Sequence, residues 1–249
     1  MNKHALLNIK NLVTFWEKAS APFQGYFSGE TFSYCRISNS DWPNRVWLEQ
    51  ELDEDVLKEI RELIISSPVG LSFSHWDNIE STNYKLIEQS GFEQKSTQLG
   101  MSMQLNQKFK QEQRLTFENV NRVEQAKIWT DLYPQSFKYN ISLEILNRTC
   151  DKINYYIIHL DNAPIGTVIT YQTENAIGIH GLGIVPEMRK RGFAEETMSY
   201  ILNKAIDNQV EYAYLQASEL GKNIYLNMGF VMDFIMRNYI KYAKDRLLV

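Results

Sequence analysis

The chain is expected to fold as an α/β protein, with helices packed on a mixed sheet and the same pattern occurring twice. Three observations carry that expectation. Short apolar runs of strand length alternate with longer segments whose apolar residues recur every three to four positions, the spacing of one helical face. Each half ends such a series at a Gly-Phe pair, Gly91-Phe92 and Gly229-Phe230. Between them, Gln107 to Arg114 is polar and charged, and the expected domain boundary lies there, dividing 1–110 from 114–249.

In order, residues 5–18 place Leu6, Leu7, Ile9, Leu12, Val13 and Trp16 at helical spacing. Strands are expected around 24–28 and 31–37 with Gly29 at the turn, and again from Arg45 after the loop at Trp42-Pro43-Asn44. Leu52 to Ile65 puts Val56, Ile60, Leu63 and Ile64 on one face, so it reads as a helix. A strand over Leu71–Trp76, a helix over Ser81–Gln89 closed by Gly91, and two strands within Phe92–Leu105 complete the first half. In the second half, Leu115–Phe117 reads as a strand and Arg122–Leu132 as a helix. An irregular Tyr133–Asn140 follows, and then a helix from Ser142. Asn154–Leu160 and Ile165–Tyr171 form a hairpin across Asp161–Pro164, whose residues suit a turn. Ala176–Val185 pairs next, and its Gly178, Gly181 and Gly183 point to a bulge or a close backbone approach.

The stretch from His180 to Phe230 carries the chemistry. Pro186 ends the strand Leu182–Val185, since proline donates no ladder hydrogen bond. Arg189, Lys190 and Arg191 then precede Gly192, Phe193 and Ala194 at the mouth of a helix with Met198, Ile201, Leu202 and Ala205 on its apolar face. Unpaired N–H groups at a helix N-terminus attract anions, and a glycine lets a phosphate approach the main chain. The same pattern also describes an ordinary helix entered through a basic loop, and the charges of Glu195 and Glu196 work against a bound anion.

Arg189-x-x-Gly192-x-Ala194 after a Val-Pro strand end resembles the Q/R-x-x-G-x-G/A signature of the GNAT superfamily of N-acetyltransferases. Gln216-Ala217-Ser218, followed by Asn223 to Phe230, resembles its second signature, in which an Asn and a Tyr lie on a helix ending in Gly-Phe. Ala194 departs from the commoner glycine. The resemblance covers roughly 114–245 and implies the GNAT fold, acetyl-coenzyme A (acetyl-CoA) as donor and an amine, free or on a peptide or protein, as acceptor. It implies that Leu182, Ile184 and Val185 offer a strand edge to the pantetheine arm, splayed from Glu211–Ala217. By the same resemblance Arg189 to Ala194 grip the diphosphate, Asn223 bonds the arm, and Tyr225 protonates the departing thiolate. His180, whose ordinary pKa of about 6.5 suits a general base, is the candidate for removing the amine proton, with a packed strand histidine as the bland reading. Tyr133, Phe137 and Tyr139 are candidates for touching the acceptor or simply for the core. The first half then reads as a degenerate GNAT-like unit, or an unrelated α/β extension. Its counterpart of the phosphate loop, Leu48–Asp55, has no glycine and five carboxylates, so it is expected to bind no coenzyme A.

Composition narrows the rest. Hydrophobic residues make up 44% and charged residues 22%, as in ordinary globular proteins, and the net charge of −4 argues against broad nucleic-acid binding. Cys35, Cys150 and the four histidines show no metal-ligand spacing, so no metal is expected. The N-terminal segment reads as a helix of the mature chain, the sequons at Asn140 and Asn147 come without a secretion signal, and no run suits a bilayer; a cytoplasmic protein with no membrane partner is expected. Oligomeric state stays open, a dimer included. The alternatives to an N-acetyltransferase are a non-catalytic acyl-CoA sensor or scaffold and a transferase of a longer acyl group.

Overall fold

A computed structural model describes residues 1–110 and 112–241. The first half runs α1 (Lys3–Ser20), β1 (Tyr26–Phe27), β2 (Phe32–Cys35), β3 (Arg45–Leu48), α2 (Glu54–Ser66), β4 (Ser72–Asp77), α3 (Tyr84–Gln89) and β5 (Glu93–Gln104). The second runs β6 (Leu115–Asn119), α4 (Val123–Phe137), α5 (Leu143–Thr149), β7 (Asn154–Leu160), β8 (Ala163–Thr173), β9 (Ala176–Ile184), α6 (Phe193–Asp207), β10 (Tyr212–Ser218), α7 (Lys222–Met228) and β11 (Val231–Ile240). The expected mixed α/β architecture is present. The last eight residues of the expected second domain lie outside the described residues, as do the final positions of the 114–245 resemblance.

All eleven strands form one sheet in the order β1-β2-β3-β4-β11-β5-β10-β9-β8-β7-β6. The order shows an exchange. β5, the last strand of the first half, pairs antiparallel with β10 of the second, and β11, the last strand of the second half, pairs antiparallel with β4 of the first. The two exchanged strands pair with each other at the centre, from Val231↔Ser102 to Ile240↔Glu93. Each half is therefore completed by the other's final strand, and the boundary at 107–114 separates sequence segments that share one sheet.

This exchange corrects one expectation. Phe92–Leu105 holds a single long strand, Glu93–Gln104, and not two. Each exchanged strand finds partners on both edges in the other half, so neither needs a hairpin turn to supply one. The segment from Tyr133, expected to be irregular, continues α4 through Pro134 to Phe137. There the helix is held by aromatic packing, Tyr133 against Phe137 with ring centroids 4.5 Å apart, and is closed by Lys138 in the left-handed region donating to the Pro134 carbonyl at 2.9 Å.

α1 begins at Asn2, whose side chain accepts from the Ala5 N–H at 2.7 Å. Its buried face, Ala5, Ile9, Leu12, Phe15, Trp16 and Ala19, belongs to the same core as the strands of the second half. Asn8 donates to the carbonyls of Met101 at 2.9 Å and Leu215 at 3.4 Å, and so bridges β5 and β10 at the seam. Among the described residues no helix is long and apolar enough to cross a membrane.

Candidate functional site

β9 and β10 run parallel only from Ala176↔Tyr212 to Ile179↔Leu215. Beyond that point Gln216–Ser218 stays with β5, while β9 bends away along β8. The bend is a bulge: two residues, Gly181 and Leu182, lie between the pairs Ile169↔His180 and Thr167↔Gly183, and Gly181 takes φ +54°. A side chain at Gly183 would meet Phe137 and Ser136 at 2.6 Å, so this glycine admits the end of α4 against the strand. The glycines expected to mark a bulge or a close approach thus mark both. Among the described residues, the β10-facing edge of Leu182 to Ile184 has no strand partner.

The expected anion loop follows. Val185 is buried and leads through a short 3-10 turn at Pro186–Met188 to Arg189. Gly192 is the N-cap of α6 at φ +81°, in the left-handed region that L side chains avoid. It contributes no side chain, so the N–H groups of the first helical turn, Phe193, Ala194 and Glu195, have no protein cap. Among the described residues, the only atom near a Cβ added at Gly192 is Arg114 Nη2, at 3.4 Å. Lys190 and Arg191 are exposed at this mouth. Arg189 is partly committed elsewhere, since its Nε donates to the Ile184 carbonyl at 2.9 Å and ties the loop back to the strand.

Glu196, expected to oppose an anion, is turned inward. Its carboxylate accepts from Arg114 N at 2.8 Å, Leu115 N at 3.0 Å and Arg114 Nε at 2.9 Å. The Arg114 guanidinium also covers the buried Phe193 ring at 4.9 Å and donates to the Arg191 carbonyl at 3.2 Å. The negative charge is neutralised inside the fold while the helix mouth stays positive. Sequence reading missed this clamp, because its two arms are 82 positions apart and Arg114 reads there only as part of a charged linker.

Across the seam between the halves lies a cavity of about 1150 Å³, into which His180, Leu182 and Tyr225 all face. Arg189 to Ala194 lie outside its lining, beyond the β9 edge, and Asn223 is exposed on α7 outside it as well. Tyr225 packs edge-on against Phe230, with centroids 5.9 Å apart, and burial pushes its hydroxyl up to about 12. At neutral pH it therefore holds a proton. Leu220 is 97% exposed, because α7 starts only after Gly221. Ser218 acts one turn early, accepting from the Gly221 N–H at 3.3 Å.

His180 departs from the ordinary pKa expected of it. Its ring lies flat on Phe15, with centroids 4.5 Å apart and planes 9° apart, and Nε2 is buried without a hydrogen-bond partner. Burial lowers its pKa to about 4, opposed weakly by Gln216, whose amide is engaged by Asn8 Oδ1 at 2.6 Å. Tyr133 and Tyr139 share a hydrogen bond of 2.6 Å between their hydroxyls and, with Phe137, line the cavity. They serve core and cavity wall at once. In the first half, the N-terminus of α2, after the loop expected to bind no coenzyme A, is already filled: the Asp53 carboxylate accepts from Val56 N at 2.8 Å.

Residues 117–230 match the family model described as the acetyltransferase (GNAT) family. Among solved structures the chain is similar to a GCN5-related N-acetyltransferase from Kribbella flavida, at 15% identity and a TM-score of 0.66, covering 90% of this chain and 93% of that one. A GCN5-related N-acetyltransferase from Sphaerobacter thermophilus shares 13% identity at a TM-score of 0.62, covering 90% and 84%. A conserved protein from Staphylococcus epidermidis, described as functionally unknown, shares 15% at 0.61, covering 86% and 92%. No curated protein matches the chain by sequence.

Proposed function

We propose, from the match of residues 117–230 to the GNAT acetyltransferase family model, that the chain transfers an acetyl group from acetyl-coenzyme A to a primary amine by direct attack in a ternary complex. The observation that carries this reading is the continuity of two features: the unpartnered β9 edge at Leu182–Ile184 runs directly into the uncapped mouth of α6 at Gly192. The edge suits an extended, amide-bearing arm, which can add to it as a peptide strand would. The helix mouth suits the diphosphate, with Lys190 and Arg191 beside it. Acetyl-coenzyme A supplies an activated thioester. The residues present fit it on both counts.

The chain's own residues then divide the work. The amine nitrogen forms its bond to the thioester carbon, the carbon–sulfur bond breaks, and the sulfur leaves with the electron pair. Tyr225, protonated at neutral pH, gives its proton to that sulfur and regains one from solvent. The proton lost by nitrogen leaves through water in the open cavity. His180, with a pKa of about 4, is a poor store for it and serves as a neutral wall that orients the acceptor. The filled N-terminus of α2 supports a first half that binds no coenzyme A and instead builds the acceptor side and supplies β5.

Calorimetry with acetyl-coenzyme A, together with a thiol-release assay across an amine panel, tests the reading. Micromolar binding with amine-dependent release is expected. Binding without release on any amine would favour a sensor, and absence of binding would end the proposal.

A further inference from the structure

The cavity carries a charge that none of the described residues answers. Arg45, at the start of β3, lines it with its guanidinium 4.3 Å from the Trp16 ring. Among the described residues its guanidinium forms no ion pair and donates no hydrogen bond, and its Nε is buried without a partner. Arginine stays protonated in proteins. Its neighbours do not supply a counter-charge. Burial pushes the Cys35 thiol up to about 12, and the Tyr133 and Tyr139 hydroxyls are raised as well, so all three remain neutral. A partly buried charge with no counter-ion is destabilising, and stacking on an indole offsets only part of that cost.

The surroundings share the same sign. Lys95, Lys138 and Lys241 also line the cavity, against one carboxylate, Asp41. Asp41 is turned to the rim, where it accepts from Asn140 N at 2.8 Å. In a chain of net charge −4 this is a local reversal. A polycationic amine would meet repulsion here. An acceptor carrying a carboxylate would find in Arg45 a planar fork matched to it.

Resting on the transferase reading, we propose that the acceptor is a small amine bearing a carboxylate, of the amino-acid class, and that Arg45 binds the carboxylate while the amino group faces the thioester. The first half would then supply the residue that selects the acceptor. The assignment explains why an arginine without a partner sits in the cavity wall that this half contributes.

Matched ligands test it. Glycine, L-phenylalanine and L-glutamate are compared with glycinamide, L-phenylalaninamide and L-glutamic acid α-amide as acceptors, with spermidine as a purely cationic control. The corresponding N-acetyl acids and N-acetyl amides are titrated by calorimetry, which needs no turnover. At least one acid is expected to exceed its amide by tenfold or more in kcat/KM and in product affinity, on the order of one charge-assisted hydrogen-bonded pair. Arg45→Gln should erase that preference by raising KM for the acid and leaving the amide nearly unchanged, and Arg45→Lys should retain part of it. Equal binding of every acid and amide, a preference for spermidine, or an equal loss on both ligands in Arg45→Gln would overturn the proposal. If Arg45→Gln fails to fold, the matched pairs on the wild-type chain and Arg45→Lys decide. Absence of coenzyme A binding would instead count against the transferase reading, and the N-acetyl acid titrations would still report on Arg45.

Discussion

Tyr225→Phe removes one oxygen and keeps the ring that packs on Phe230. Among the described residues the hydroxyl has no hydrogen-bond partner, so its loss leaves no other group unsatisfied. The free energy of unfolding should move by less than about 0.5 kcal/mol. The chemical step should slow far more. General-acid catalysis contributes roughly 10²–10⁴-fold, and a thiolate whose conjugate acid has a pKa of about 8.5 needs the least help among leaving groups, which places the effect at the lower end. A loss of about 10²-fold, or about 2.7 kcal/mol, is the expected outcome. The assay is a single turnover: enzyme loaded with acetyl-coenzyme A is mixed with amine, and the released thiol is trapped with a chromogenic disulfide. Calorimetry on the same variant should show acetyl-coenzyme A affinity unchanged. A single-turnover rate equal to wild type, with folding and binding intact, would refute the assignment of Tyr225 as the acid.

Four further outcomes follow from the geometry. Gly192→Val forces a β-branched side chain into φ +81°, which costs roughly 1–2 kcal/mol and displaces the mouth of α6, so calorimetry should show acetyl-coenzyme A binding weakened by about tenfold; equal affinity would mean the diphosphate sits elsewhere. Because folding lowers the His180 pKa from 6.5 to about 4, its contribution is fully present above pH 6.5 and is lost as pH falls towards 4, by up to about 3 kcal/mol. Urea unfolding should therefore show a steeper acid loss in wild type than in His180→Gln, and parallel curves would contradict the buried neutral ring. Glu196→Ala leaves the Arg114 and Leu115 N–H groups without their acceptor, while the half-exposed Arg114 guanidinium keeps Glu112 at 2.8 Å, so the change should cost about 2–3 kcal/mol by urea denaturation; a loss below about 1 kcal/mol would show that the clamp is not structural. Residues 114–249 expressed alone lack β5 and leave the β10 and β11 edges bare, so they should be insoluble or unfolded by circular dichroism until mixed with residues 1–110. A soluble, cooperatively folded fragment would contradict the strand exchange.

The local elements, and the helix mouth proposed to take the diphosphate, are legible in the chain itself. A strand ended by Pro186, a basic loop, Gly192 and an amphipathic helix are neighbours in the chain, and a helix N-terminus is built from neighbouring residues, so spacing alone could show it. The glycines of β9 were legible for the same reason, since a bulge and a close approach leave their mark at the residue concerned. The helix carrying Tyr225 is legible from its Gly-Phe end, while its start at Lys222 is not, because sequence spacing does not say where a short helix begins.

Tertiary structure decided everything that depends on distant pairs. Two strands that each end a Gly-Phe segment gave no sign in sequence that they would cross to the opposite half, since edge partners are set by which strands lack a neighbour when the whole sheet closes. Glu196 looked like a charge at a helix mouth until Arg114 drew it inward. His180 looked like a base until Phe15, from the first helix, covered its ring and removed its water. Arg45 read only as the start of a strand, and its meaning came from what surrounds it and from the absence, among the described residues, of any carboxylate within reach. Burial and counter-charge are properties of the assembled interior, which is why the basic loop and helix mouth could be read from the chain and the cavity could not.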